Sequence, residues 1–388
     1  MRAISEGLLV GSEPSQSATW TLPVYPLDFG SIKSMIEYRF NLLDSYVDTY
    51  GMATFAVAQE PVKEKFQELL HDLANHNLMA RIQKVAGKLV ISVFPKPKLG
   101  QPRKVINLIL FLATVATVSL ASYLYIFAID PKVSAILFAG SGSGQQMLVF
   151  SISILGIVGL HETGHVLAVR HHKMDATLPY FVPAPPPIGT FGAVISLRGA
   201  PANRDQLFDL GFSGPIAGFL ATLAVGIFMV MTAPIIGAEQ LGALMAEKLL
   251  VSTAWPNVPL LVELIQQAGL RTLPAGYVMV LPSVFFAVQV GALITFLNLL
   301  PVWQLDGGHI SRATLGDQGH KFGAFLGFAI LIAAGFWPFA VLLIIFMFAS
   351  RRPLQGVIPL DDVSPLSNLR RALFAISLVI LALSFVIL

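Results

Sequence analysis

An apolar run from about Leu148 to Val169, long enough to cross a bilayer as a helix, carries His161-Glu162-Thr163-Gly164-His165 in its second half. Inside hydrocarbon every backbone polar group must find its partner within the protein, so a single apolar run of this length has the α-helix as its natural form. Ionisable side chains there are costly and mark a functional site by default. On a helix, residues four apart share a face, so His161 and His165 can offer one imidazole nitrogen each to a single metal ion, with Glu162 one step round. The competing reading is a pair of buried, hydrogen-bonded histidines beside a structural Glu. It is weaker in a membrane helix than in a soluble one, because nothing structural requires three ionisable groups within a turn and a half.

The composition extends this constraint to the whole chain. Of 388 residues, 55% are hydrophobic and 12% charged, and the mean hydropathy is +0.72. That describes a polytopic α-helical membrane protein rather than a soluble enzyme. The formal charge of +3 is small, and the basic residues cluster at the ends of apolar runs, a pattern for membrane orientation and against nucleic-acid binding. The chain has no Cys. Disulfides, thiolate ligands and cysteine nucleophiles are thereby excluded, and any metal must be held by His, Asp or Glu.

The chain divides, by pattern, into a polar N-terminal segment (1–50), a small soluble module (51–95), a basic Pro-rich linker (96–104), a membrane core (105–350), a second linker (351–368) and a C-terminal membrane helix (369–388). The N-terminal segment shows no basic region leading into an apolar core, so no signal peptide is expected and the first membrane helix should act as the insertion signal. In the module, residues 52–58 alternate as a strand, 61–74 repeat at helical spacing, and 78–85 and 88–94 alternate again around an Ala86-Gly87 turn. The expected order is β-α-β-β, a cap or docking domain without chemistry of its own. His71 and His76 there are read as solvated.

Within the core, membrane helices are expected at 105–129, 147–172, 208–236 and 277–301. The stretch 321–350 should form two short helices turning at Trp337-Pro338, and a last helix starts near Leu369. That totals seven membrane helices. Arg170, His171, His172 and Lys173 end the second helix, and basic bias places them, the N-terminal module, Arg351, Arg352, Arg370 and Arg371 on the cytoplasmic side of the cell membrane. Between the second and third helices, prolines from Pro179 to Pro187 block helix, while residues 190–197 have strand character flanked by Gly189 and Gly192. A membrane-proximal strand or hairpin follows, and a strand edge at that depth must be covered or line a cavity. Such an edge could receive an extended peptide, with Gly189, Thr190, Phe191 and Gly192 as candidate contacts. The third helix opens with Gly211, Gly214 and Gly218 near helical spacing, a surface for close helix packing.

The third metal ligand is sought in the same way. His171 stands ten residues after His161, but the intervening helix has Ala168 where the related soluble enzymes have a helix-breaking Gly. On an unbroken helix it lies about 15 Å along the axis and cannot share the metal. Pro301 and the Gly307-Gly308 pair, by contrast, are expected to break the chain after the fourth helix and present Asp306 at the end of an apolar segment. Two His and a carboxylate suffice for a catalytic zinc with an open position.

Taken together, His161-Glu-Thr-Gly-His165, the Gly-Thr-Phe-Gly192 strand, Gly214-Pro-Ile-Ala-Gly218 and Asn298-x-x-Pro301-x-x-x-Leu305-Asp306-Gly307 resemble the site-2 protease family of intramembrane zinc metalloproteases. The likeness covers about 148–350. The module and the Asp361-Asp362-Val-Ser-Pro segment look like the branch with plant chloroplast, archaeal and cyanobacterial members. The resemblance implies zinc on His161, His165 and Asp306, Glu162 as general base, and Asn298 as a polar residue near the site. It also implies peptide hydrolysis within or near transmembrane segments of membrane-protein substrates, with the lipid bilayer as the medium. No PDZ or CBS domain, common in the family, is evident. The alternative is a metal-ion transporter using the same His/His/Asp set. It would favour inverted repeats, which are not apparent, and has no use for Glu162 beside the first ligand.

Overall fold

The structure, a computed structural model, describes residues 25–49, 51–59, 61–96, 104–195, 197, 199–250, 258–349 and 356–386. Most of the basic linker, with Arg198, Arg351 and Arg352, lies outside these residues. The chain forms two compact units, Met1–Pro97 and Lys98–Leu388.

In the first unit, helix α1 (Phe29–Glu37) is capped by Asp28, whose carboxylate accepts from the Ser31 amide at 3.1 Å. Strands β1 (Leu42–Val47) and β2 (Ala53–Val57), helix α2 (Lys63–Asn75), and strands β3 (Leu78–Val85) and β4 (Lys88–Pro95) follow. The strands form one antiparallel sheet in the order β1-β2-β4-β3. The apolar stripe of α2, Phe66, Leu69 and Leu73, is buried. Ala86 and Gly87 both take positive φ, 49° and 82°, which closes the β3-β4 hairpin with the twist its strands need. The unit holds a helix and a strand more than the β-α-β-β order, and its ordered part begins before residue 51. The edge strand β1 is largely exposed and lacks apolar alternation, so its sequence carries no strand period.

The second unit runs through helices α3 (Lys104–Phe127), α4 (Pro131–Leu137) and α5 (Ser143–His171), the hairpin β5 (Tyr180–Pro183) and β6 (Thr190–Val194), and helix α6 (Arg204–Thr232). Strand β7 (Ile235–Gly237), helices α7 (Ala238–Ala246) and α8 (Leu260–Gln267), and strand β8 (Tyr277–Met279) come next. Helices α9 (Val284–Leu299), α10 (Asp306–Ala333), α11 (Trp337–Ala349) and α12 (Asn368–Leu383) complete it. Helix α6 is the hub, packed by α5, α9 and α10. Its start is fixed by Asn203, whose side chain accepts from the Gln206 amide at 2.9 Å while the Gln206 side chain accepts from the Ala202 amide. The main apolar core, including Phe150, Ile154, Phe208, Val288 and Ile310, joins these four helices.

Among the described residues three helices, α3, α5 and α6, are long and apolar enough to cross a membrane. The fold is mostly helical, with apolar helices suited to a bilayer, and seven spans remain an expectation. Helix α9 differs from the predicted fourth span: residues 277–279 pair with β7 as a strand, and Pro282 stands between that strand and the helix. Its 16 residues reach only about 24 Å. Between α10 and α11 the chain turns at Gly335, φ 89°, next to the predicted Trp337-Pro338 break. Helix α10 begins well before Lys321, and Gly316 (φ 72°, ψ −166°) breaks it internally, so residues 306–315 form a short helix of their own. That conformation is open essentially to Gly alone.

Candidate metal centre

His161 and His165 sit one turn apart on α5, both buried. Across from them Asp306 begins α10, where a carboxylate gains from the unpaired amides and the positive end of the helix. The chain reaches that point by a tight reversal after α9: Val302 N–H donates to the Leu300 carbonyl at 2.7 Å and Leu305 N–H to the Val302 carbonyl at 3.0 Å. The predicted Gly pair does not break a helix here. Gly307 and Gly308 lie in the first turn of α10, and a Cβ on either would run into the carbonyls of Leu299 or Trp303. The break belongs to Pro301, and the glycines let the reversal close against the helix.

The three donor atoms converge. His161 Nε2 and His165 Nε2 lie 3.2 Å apart, and Asp306 Oδ2 stands 3.3 Å from the first and 3.4 Å from the second. A tetrahedral zinc with ligand bonds near 2.0–2.1 Å has ligand–ligand edges of about 3.3–3.4 Å, so the spacing of these three atoms fits three corners of such a sphere. Among the described residues this is the His/Asp/Glu cluster able to hold a metal. The donor chemistry agrees. His165 Nδ1 lies 2.9 Å from the Leu210 carbonyl; a carbonyl only accepts, so the ring proton is on Nδ1 and the Nε2 lone pair faces the cluster. His161 Nδ1 is buried without a hydrogen-bond partner.

The glycines of α6 take a second role beside helix packing. A Cβ at Gly214 would fall on the His165 ring, and one at Gly218 would sit 2.9 Å from His161 Nδ1. Gly211 makes the same room for the Asp306 carbonyl and the His309 Cβ. The small-residue stripe is thus the wall against which both imidazoles and the start of α10 are set.

Glu162 and Asn298 both line the cleft at the cluster, a cavity of about 550 Å³. Glu162 Oε1 accepts from the Ala193 amide of β6 at 3.2 Å, so the edge of β6 turned away from β5 meets the cluster. The residues of this segment that line the cleft are Ala193, Val194, Ile195 and Leu197. Gly189, Thr190, Phe191 and Gly192 lie outside that lining. Gly189, φ 80°, lies against Val118 and receives the Thr117 hydroxyl on its carbonyl at 2.7 Å, while the Thr190 hydroxyl accepts from Gly192 N–H. Gly189 and Thr190 anchor the hairpin that brings Ala193, Val194, Ile195 and Leu197 to the cleft.

His171 takes no part in the cluster, and His172 Nε2 is 2.8 Å from Asp209 Oδ2 on α6. Five lining residues carried no role in the sequence reading: Gly199, Leu210, Gln304, His309 and Val357. His309, three after Asp306 on one helix, had a signal in that spacing. Val357 had none.

Residues 149–337 match the model of peptidase family M50. The chain is 29% identical over 302 residues to the probable zinc metalloprotease EGY1, chloroplastic, of Oryza sativa subsp. japonica, covering 73% of this chain and 50% of that protein. It is 29% identical over 251 residues to the protein of the same name from Arabidopsis thaliana, 61% of this chain and 42% of the relative. To the probable zinc metalloprotease EGY2, chloroplastic, of Oryza sativa subsp. indica it is 32% identical over 165 residues, 42% and 28% of the two chains. The chain spans half or less of the length of these curated relatives. No solved structure matches it. The matched stretch contains the whole converging set of His161, His165 and Asp306 with Glu162 beside it, and residues 149–337 belong to peptidase family M50, the family of the site-2 proteases.

Proposed function

We propose that this chain is an intramembrane zinc metalloendopeptidase that cleaves transmembrane segments of membrane-protein substrates. The observation that carries the reading is the convergence of His161, His165 and Asp306 at tetrahedral spacing, inside a cleft that also holds a carboxylate and a strand edge. His161, His165 and Asp306 would hold the zinc. The ion would supply Lewis-acid polarisation of the scissile carbonyl and a lowered pKa for a water beside it. Glu162 takes the proton of that water and returns it to the leaving amine. The outer edge of β6 at Ala193 and Val194 lies at the cleft, which supports binding of an extended peptide by strand addition. A membrane helix satisfies its own backbone, so pairing with that edge also favours the local unwinding its cleavage requires. Asn298, in the same cleft, is assigned to substrate contact. The transporter alternative finds no favouring observation.

Glu162→Gln tests the chemistry. The amide cannot accept the proton, so cleavage of a transmembrane peptide should fall by about 10²–10⁴-fold while zinc content, measured on the purified protein, stays at the wild-type level. Cleavage at the wild-type rate would remove Glu162 from the mechanism, and zinc flux into proteoliposomes would then be the decisive assay.

The N-terminal module and the end of α11 are assigned to one side, cytoplasmic in a cell membrane, on the basic residues that flank the apolar segments. A cysteine near Gln355 would report this, but that position lies outside the described residues. Exposed Pro365 serves instead in this Cys-free chain. A membrane-impermeant thiol reagent should label Pro365→Cys from the same side as Lys84→Cys, and labelling from opposite sides would replace the hairpin of α10 and α11 with a single crossing.

A further inference from the structure

The segment Asp361-Asp362-Val-Ser-Pro365 has no place in the chemistry so far, yet the chain from 356 to 367 is bound to the two helices that build the site. Leu360 N–H donates to the Pro201 carbonyl at 2.8 Å and Asp361 N–H to the Ala202 carbonyl at 2.9 Å, with a parallel bridge between Asn203 and Asp361. Asp361 Oδ1 accepts from the amides of Val363 and Ser364. Ser367 N–H donates to Asp205 at 2.9 Å. The segment is therefore a strap fixed along the start of α6.

Asp362 is its clamp. Its carboxylate accepts from Arg204 Nε at 3.2 Å and from Arg312 Nη1 and Nη2 at 3.0 and 2.5 Å, and its carbonyl accepts from Arg204 Nη2 at 2.7 Å. Arg312 is 3% exposed, a buried cation whose guanidinium fork fits this one carboxylate. It lies on the short helix 306–315 that begins with Asp306 and is cut from the rest of α10 at Gly316. One carboxylate thus ties α6, the wall behind both imidazoles, to the helix that carries the third donor. The same strap sets Val357 into the lining of the cleft that Leu305 and His309 also line, while Gly356 lies against the His320 ring where a Cβ would be 3.0 Å from Nε2.

We propose that the strap 356–367 is a fixed wall of the substrate cleft in which Val357 is a specificity-determining residue, facing an extended peptide laid on the β6 edge, and Asp362 is the positioning residue that holds it there. The inference rests on the peptidase reading. A side chain of the bound segment that points toward Val357 meets a bounded apolar surface, so its size is selected.

The test uses the full-length, zinc-loaded protein in detergent and a pool of synthetic transmembrane peptides carrying Gly, Ala, Leu, Phe or Trp at successive single positions. Val357→Ala should raise cleavage of peptides with Phe or Trp at one position by about tenfold or more relative to Ala, and Val357→Trp should shift the preference the other way. Asp362→Asn should blunt the preference and speed amide exchange across 356–367 with zinc content kept, while Asp362→Glu should retain both. As a readout independent of turnover, a photo-crosslinking phenylalanine at 357 should capture a pool peptide, whereas one at exposed Leu369 should not. Unchanged preference in both Val357 variants, or no adduct at 357, overturns the proposal. Capture of peptide by the protein with the crosslinker at 357, together with no cleavage by the wild-type chain, overturns the peptidase reading and leaves the wall standing.

Discussion

Purified His165→Ala and Asp306→Asn proteins are expected to retain less than about one-hundredth of the wild-type zinc affinity, with cleavage lost in step. Changes to groups that only support metal ligands already cost 10–100-fold, and here a proposed ligand itself is removed. Each variant leaves two of the three converging donors. No thiolate can substitute, because the chain has no Cys. Asp306→Asn keeps the shape of the side chain and removes its charge, so a folded protein without metal is the expected product. Metal analysis after dialysis against a weak chelator measures the loss. Full occupancy in both variants would rule out this ligand set.

A loss approaching that size is expected from Gly214→Ala, which replaces none of the three donor residues. The added methyl would occupy the space of the His165 ring, which is held to this same helix by the Leu210 carbonyl that fixes its tautomer. Metal affinity should fall by about 10–100-fold as the imidazole is pushed off the cluster. Alanine is the better helix former, so helix content by circular dichroism should not fall. Gly242→Ala, on α7 with nothing within 4 Å of the new Cβ, is the control and should leave zinc and activity alone. Wild-type zinc affinity in Gly214→Ala would mean that the ring relaxes elsewhere and that the glycine serves helix packing alone.

The parts of this molecule that could be read from residues were those where chemistry and period coincide. The H-E-x-x-H spacing specifies a shared helix face, and the apolar runs around it specify α5 and α6 because hydrocarbon allows little else. Asp306 was legible once two His in a Cys-free membrane protein demanded an oxygen ligand. The second use of Gly214 and Gly218 was not, since a small residue at helical spacing reads identically whether a leucine or an imidazole lies opposite. The reach of the β6 edge was misplaced by a few residues. Gly189 to Gly192 carry the distinctive composition, but composition there serves the turn, and the cleft takes the plain apolar residues that follow. Strand β8 was hidden in an apolar stretch that periodicity alone cannot divide, and only Pro282 marked its end. Val357 lies fifty-one residues after Asp306 in the chain and meets the cleft solely through tertiary contacts.

The interruption at Gly316 also bears on how the protein meets membranes of unequal thickness. A helix whose apolar length differs from the hydrocarbon around it tilts or bends, at a cost of fractions of a kcal/mol per ångström of mismatch. Were α10 continuous, any such tilt would swing its first turn, and Asp306 with it, by a lever arm of several turns. Because residue 316 adopts backbone angles no helix transmits, a tilt of the part after it would not be carried rigidly into the first turn. The ten residues before it stay registered to the protein interior. Should α10 meet the bilayer as expected, the break would lessen how far a change in membrane thickness displaces Asp306.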